Sequence, residues 1–201
     1  MNNDAETSGR IAPARQGERD QPTHFRRSSA MQIAQGDILD FSAYLEQTAR
    51  PLQDAVVWSW HEVAAGLASR PHNVQGSLVL ADREAVDPAT IAPGLSLVIQ
   101  VLNAGETTKP HRHSFWHLYI TRSGSGEVSL GADLRRQRLA EGDVLFVPAW
   151  HTHAIHNLQD DAPLVLFRLQ NLPQNASLGT LAREDDGHLK HIYASEDVVA
   201  V

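Results

Sequence analysis

GETTKPHRHSFWH at residues 105–117 and GDVLFVPAWHTHAIHN at residues 142–157 are the two stretches that decide the fold. Six of the eleven histidines lie between residues 111 and 156, all within these two stretches. Imidazole is a common ligand for zinc, copper, iron and nickel, and it binds through a free lone pair. Residues two apart on a strand project to one face, so His111 and His113 can converge on a single ion. A third ligand must come from another strand, and the second stretch offers His153. Three imidazoles facing one interior would be costly to bury unpaired, which favours a metal over a set of core histidines.

Outside these stretches the chain breaks into short β-rich runs separated by turn residues. Strands are expected near residues 76–80, 95–102, 116–121, 127–130, 136–139, 144–147, 154–157 and 164–169. The turns between them carry Pro93 with Gly94, Gly124 with Gly126, Gly131, Glu141-Gly142-Asp143 and Asp160 with Asp161. Several short strands at this spacing imply an all-β antiparallel sandwich or barrel. Upstream, from Ile33 to about Arg70, the pattern is helical. Ser59 followed by Glu62 forms a capping box, and Val63, Ala64 and Leu67 share one helical face. The expected organisation is a disordered tail over 1–30, a helical extension over 31–75, a barrel over 76–172 and a C-terminal extension over 173–201. Beyond about residue 172 periodicity is lost, and loose packing is expected there.

A chain of 201 residues suits one well-buried core plus a tail. The formal net charge of -7 argues against nucleic acid or an anionic membrane as a general partner. With no cysteine, a metal must be held by nitrogen and oxygen ligands alone. The polar start MNNDAETSGR lacks a secretory core, and no apolar run approaches transmembrane length. A cytoplasmic location is the default expectation.

The two stretches resemble the paired motifs of the cupin superfamily, a jelly-roll barrel also described as a double-stranded β-helix. In the first motif Gly105, His111, His113 and Gly124 match, and His117 stands where that family usually has glutamate. In the second, Gly142, Pro148, His153 and Asn157 match, with Trp150 in place of an inner glycine. Within cupins, HRHSFWHLYITRSGSGEV and GDVLFVPAWHTHAIHN are similar to segments of the gentisate 1,2-dioxygenase group of ring-cleaving enzymes. PLVLFRLQNLP and VVWSWHEVAAGL extend that likeness to roughly residues 56–185. Those enzymes usually carry two cupin halves with iron in one; this chain has one half, and it looks more like the C-terminal half.

The resemblance implies a metal held by His111, His113 and His153. His117 is a fourth ligand, a hydrogen-bonding neighbour or a substrate-side acid or base. Neutral imidazoles without a carboxylate leave a divalent ion close to its full charge, which favours anionic substrates. Six-coordinate iron with three histidines keeps three positions for a bidentate substrate and dioxygen; four histidines leave only two. Tyr119 shares a strand face with His117 and is expected to steer a substrate oxygen, donate a proton or pack in the core. Phe115, Trp116 and Trp150 are candidates for an apolar wall against an aromatic ring. Arg168 pairs a substrate carboxylate if it faces inward and is a surface charge otherwise. Asn157 is expected to hold a turn or a histidine's second nitrogen, while His151 and His156 face outward or into a loop.

The function these readings imply is an Fe(II) dioxygenase that uses O2 to cleave a small hydroxylated substrate, an aromatic acid by the resemblance. A Zn(II) or Ni(II) isomerase, cyclase or hydrolase is the alternative from another enzyme class. A non-enzymatic metal or small-ligand binding module is the third reading. A homodimer is expected from cupin analogy.

Overall fold

The computed structural model describes residues 35–49, 53–82, 87 and 89–191, so the tail expected over 1–30 lies outside the described residues. The chain divides into two compact units, Met1–Arg50 and Pro51–Val201. The first contains α1, Phe41–Thr48, whose N-terminus is capped by Asp40 accepting from the Ala43 N–H at 3.0 Å. The second contains everything else described below.

Helix α2, Trp60–Ser69, begins where the capping box places it, with the Ser59 hydroxyl accepting the Glu62 N–H at 3.2 Å. Strands β1 (Leu78–Leu80), β2 (Ser96–Leu102), β3 (His111–His113) and β4 (His117–Ser123) follow. Next come β5 (Gly126–Leu130), β6 (Arg135–Leu139), β7 (Val144–Val147), β8 (His153–His156) and β9 (Leu164–Gln170). A short helix α3, Leu172–Ser177, leads into β10 (Ala182–Asp185) and β11 (His188–His191). Two antiparallel sheets result, ordered β1-β2-β9-β4-β7 and β11-β10-β3-β8-β5-β6.

Alternation along the strands builds the core between the sheets. Tyr119, Val128, Val147, Ile155 and Leu166 meet there with Leu102, Leu139 and Leu164. Strand β9 is apolar on both faces because Val165 and Phe167 turn outward and pack with Ile99 under Val63 of α2. Strand β6 closes one sheet edge, and its Arg135, Arg136 and Arg138 are exposed, which discourages pairing with another chain. Among the described residues no helix is long and apolar enough to cross a membrane.

Two differences from the sequence expectation matter. Strand β3 was expected only as the carrier of a histidine pair, and its three residues are too short for periodicity to reveal. Within 173–191 the chain does not pack loosely: β10 pairs with β3, placing Arg183 opposite His113 and Asp185 opposite His111. Its hairpin turn is Asp186-Gly187, with φ of 50° and 77°, the left-handed pair that a two-residue turn needs. That dipeptide is the signal in the sequence. It is masked because β11 is exposed throughout and shows no apolar alternation.

Asn157 joins three loops. Its Nδ2 donates towards the carbonyls of Leu102, Asn103 and Ala162 at 3.1, 2.9 and 2.8 Å, and its Oδ1 accepts the Gln159 N–H at 3.1 Å. It therefore holds turns and no histidine nitrogen. Gly124 and Gly105 both have left-handed φ, 84° and 68°, but a Cβ at Gly124 would sit 2.6 Å from the Pro163 carbonyl oxygen while one at Gly105 meets open space. Alanine at Gly105 is expected to cost about 1 kcal/mol from backbone strain alone. Alanine at Gly124 adds overpacking and is expected to cost about 2–4 kcal/mol in denaturant unfolding. Equal costs at the two positions would contradict this account.

Candidate metal centre

Strand β3 turns His111 and His113 inward and leaves Arg112 exposed, as a two-residue period requires. His153 stands directly across from His111 in the β3–β8 pairing. The ring centroids lie 4.4 Å apart for His111–His153, 5.1 Å for His113–His153 and 5.6 Å for His111–His113. One ligand atom from each of these three lies within 4.8 Å of the others, and all three side chains are buried.

Backbone carbonyls set their tautomers. The Nδ1 atoms of His111, His113 and His153 lie 2.8, 2.6 and 2.9 Å from the carbonyl oxygens of Lys109, Phe115 and His151. A carbonyl only accepts, so each Nδ1 carries the hydrogen and each Nε2 keeps its lone pair. The Nε2 atoms of His113 and His153 are buried with no hydrogen-bond partner. Orphaned acceptors of this kind, converging and with the second nitrogen anchored, fit a divalent cation.

Burial is the main cause that keeps these histidines neutral. It pushes His111 down to about 4, with the charge of Arg183 second, and His153 down to about 3, with His111 second. His113 is pushed to about 2 by burial and then by His153 and His111. Protons therefore do not compete for the lone pairs near neutral pH.

His117 adjoins this group, its ring 4.4 Å from His113 and 5.5 Å from His153. Its Nε2 is also buried without a partner, but its Nδ1 faces the Tyr119 hydroxyl at 2.7 Å instead of a carbonyl. Burial and then the charge of Arg168 hold it well below its ordinary pKa. Tyr119 is fully inside the barrel, and burial raises its pKa. Arg168 lies opposite Tyr119 in the β4–β9 register, which places this arginine on the inner face. Its Nη1 also donates to Gln100 Oε1 at 3.2 Å, and Gln100 is fixed by donating to the Val74 carbonyl at 2.6 Å.

The aromatic residues separate. Phe115 is buried and stacks on His113, with centroids 3.7 Å apart and an interplanar angle of 8°. Trp116 has the opposite parity to His117 and packs against exposed Phe146, on the outer side of the sheet. Trp150 is 44% exposed at a turn with φ of 62°, and its N–H donates to the His113 carbonyl at 2.7 Å. The left-handed φ explains why glycine is usual at that motif position. His151 lies in the exposed turn before β8, and His156 faces away from the centre, bonded to Ser129 Oγ at 2.8 Å.

Sequence reasoning missed three polar residues of this region: Gln100, Arg183 and Asp185. Arg183 Nε donates to both Asp185 carboxylate oxygens, at 3.0 and 2.8 Å, and Nη2 donates to Oδ1 at 2.8 Å.

Comparisons with known proteins agree with this architecture. Residues 98–169 match the cupin domain family. A 5-aminosalicylate 1,2-dioxygenase from Comamonas sp is 30% identical over 129 residues, covering 61% of this chain and 33% of that protein. A 5-nitrosalicylic acid 1,2-dioxygenase from Bradyrhizobium sp is 25% identical over 123 residues, covering 57% of this chain and 56% of that protein. The chain thus spans between a third and just over half of the length of these relatives. A crystal structure of salicylate 1,2-dioxygenase from Pseudaminobacter salicylatoxidans has a TM-score of 0.57 at 20% identity, over 76% of this chain and 49% of that one. The gentisate adduct of salicylate 1,2-dioxygenase gives 0.53 at 20% identity, over 72% and 43%. The fold is a cupin barrel, and the relatives named here are dioxygenases.

Proposed function

We propose that this cupin barrel holds Fe(II) through His111, His113 and His153 and uses O2 to cleave the ring of a small hydroxylated aromatic acid. The observation that supports this reading is the convergence of three neutral imidazoles whose carbonyl-anchored Nδ1 atoms leave the Nε2 lone pairs free. The names of the relatives supply the reaction class. Iron at that point would supply the one-electron chemistry that lets a closed-shell ring react with dioxygen.

The chain's own groups divide the remaining work. In this reading the Tyr119 hydroxyl donates a hydrogen bond to His117 Nδ1, and His117 carries its hydrogen on Nε2, pointing into the interior. In this arrangement His117 is a hydrogen-bond donor to a substrate oxygen beside the three-histidine group, which preserves the open positions that ring cleavage needs. Phe115, stacked on His113, forms the apolar wall. Arg168 supplies a fixed positive charge that favours an ionised substrate over a neutral one.

The test is metal analysis of anaerobically purified protein together with oxygen uptake on salicylate and dihydroxybenzoates. Near one iron per chain and substrate-dependent oxygen uptake are expected. Stoichiometric zinc or nickel without oxygen uptake would replace this reading by Lewis-acid isomerisation, cyclisation or hydrolysis. Metal-dependent ligand binding without turnover would leave a binding module, and no metal after reconstitution would sink both enzyme readings. Tyr119→Phe is expected to lower oxygen uptake about 10–100-fold while metal content stays unchanged, because it releases His117 without touching the three anchored histidines. Equal loss of metal and activity would instead make Tyr119 a structural support.

A further inference from the structure

The β10–β11 hairpin carries charges that the reading above does not use. Arg183 lies opposite His113 and Asp185 opposite His111, and directly opposed residues of antiparallel strands share a face. Both side chains therefore stand on the histidine side of the sheet. Glu184, between them, turns to the other face and pairs with Arg112 at 2.7 Å.

Asp185 occupies one edge of the Arg183 guanidinium, formed by Nε and Nη2. The other edge, with both Nη1 hydrogens and one Nη2 hydrogen, is uncommitted to Asp185 and has the fork geometry that matches a carboxylate. The two side chains are 26% and 31% exposed, the level of groups at a rim rather than in a core. A surface cavity at the turn of this hairpin touches His111, with Arg112, Glu184, Asp186 and Gly187 around it. The charge of Arg183 reaches inward as well, contributing to the lowered pKa of His111 and His153. Arg168 faces the same histidines from the opposite sheet, where its Nη1 donates to Gln100 and its Nε is buried without a partner.

We propose that Arg183 is the carboxylate anchor at the entrance of the histidine site, held in its rotamer by Asp185, and that the ligand it takes is a small aromatic carboxylate. This rests on the aromatic-acid reading given above. The carboxylate is held at the hairpin while the ring and its hydroxyl reach towards the three histidines. Asp185 acts as a positioning residue, fixing the guanidinium through Nε and Nη2.

Calorimetric titration of the full-length protein with salicylate and with its neutral amide, salicylamide, tests this directly. The wild type is expected to prefer salicylate. Arg183→Met is expected to weaken salicylate about 10–100-fold, the worth of a charged hydrogen-bonded pair, and to leave salicylamide within about two-fold. Arg183→Lys keeps a charge without the fork and is expected to lose about 3–10-fold, which covers the case in which the methionine variant does not fold. Parallel weakening of both ligands would make Arg183 structural and overturn the proposal. Full salicylate preference in Arg183→Met or Arg183→Lys would overturn it while leaving the dioxygenase reading intact. No preference in the wild type would overturn both. Preference lost in the variants, with no oxygen uptake in the wild type, would support the anchor and sink the dioxygenase reading alone.

Discussion

His113→Ala is expected to drop bound metal from about one equivalent per chain to below about a tenth, and oxygen uptake by at least about a thousandfold. His113 is the residue through which most of the site is tied together. Its Nδ1 is anchored on the Phe115 carbonyl, its own carbonyl accepts the Trp150 N–H, and its ring neighbours those of His111, His153 and His117. Loss of hydrogen bonds that merely orient a ligand costs about 10–100-fold in metal affinity, and loss of a ligand costs more. His156→Ala is the matched control, because His156 lies on β8 beside His153 but faces the other way onto Ser129. That variant is expected to keep its metal. Equal metal content in the two variants, read by mass spectrometry, would show that the three-histidine group is not the site.

Acid is expected to unfold the metal-free protein near pH 5. The ordinary histidine pKa is about 6.5, and the folded protein holds His111 at about 4, His153 at about 3 and His113 at about 2, with burial the leading cause each time. Between pH 6.5 and about 4 the unfolded chain therefore binds protons that the folded chain refuses. The stabilisation is complete above pH 6.5 and is lost as pH falls below it. Each such histidine contributes a slope on the order of 1.4 kcal/mol per pH unit. Four together, counting His117, give roughly 5 kcal/mol per unit, comparable with the whole stability of an ordinary domain. Melting curves from pH 7.5 to 4.5 would display this as a steep fall in Tm beginning near pH 6.5. A flat Tm across that range would mean that these imidazoles do not stay neutral when folded.

The barrel was legible because its inner strands alternate and its turns carry glycine and proline. Ser59 with Glu62 announced α2. The histidine pair on β3 was legible from spacing, although the strand itself was not. What could not be read depends on partners distant in sequence. Whether Arg168 faced solvent or the interior was settled by its pairing with Tyr119 across β4 and β9. Trp116 was grouped with Phe115 by adjacency, yet adjacent residues on or entering a strand point to opposite sides, and only Phe115 reaches the histidines. The hairpin of β10 and β11 escaped because β11 buries nothing, so only Asp186-Gly187 marked it.

The placement of β9 has a consequence for the order of events as the chain leaves the ribosome. This strand lies between β2 and β4, so Ser96 pairs with Gln170 and Leu102 with Leu164. Strand β10, later still, supplies the outer neighbour of β3. Neither sheet can therefore be completed until nearly all described residues have been synthesised. Pairings of such separation make folding slow, on the order of milliseconds to seconds, and leave early strands waiting with open edges. The exposed arginines of β6 then protect the nascent chain as well as the finished one. Histidines 111 and 113 emerge long before the scaffold that orients them, so capture of a metal by the proposed site would belong to the last stage of assembly.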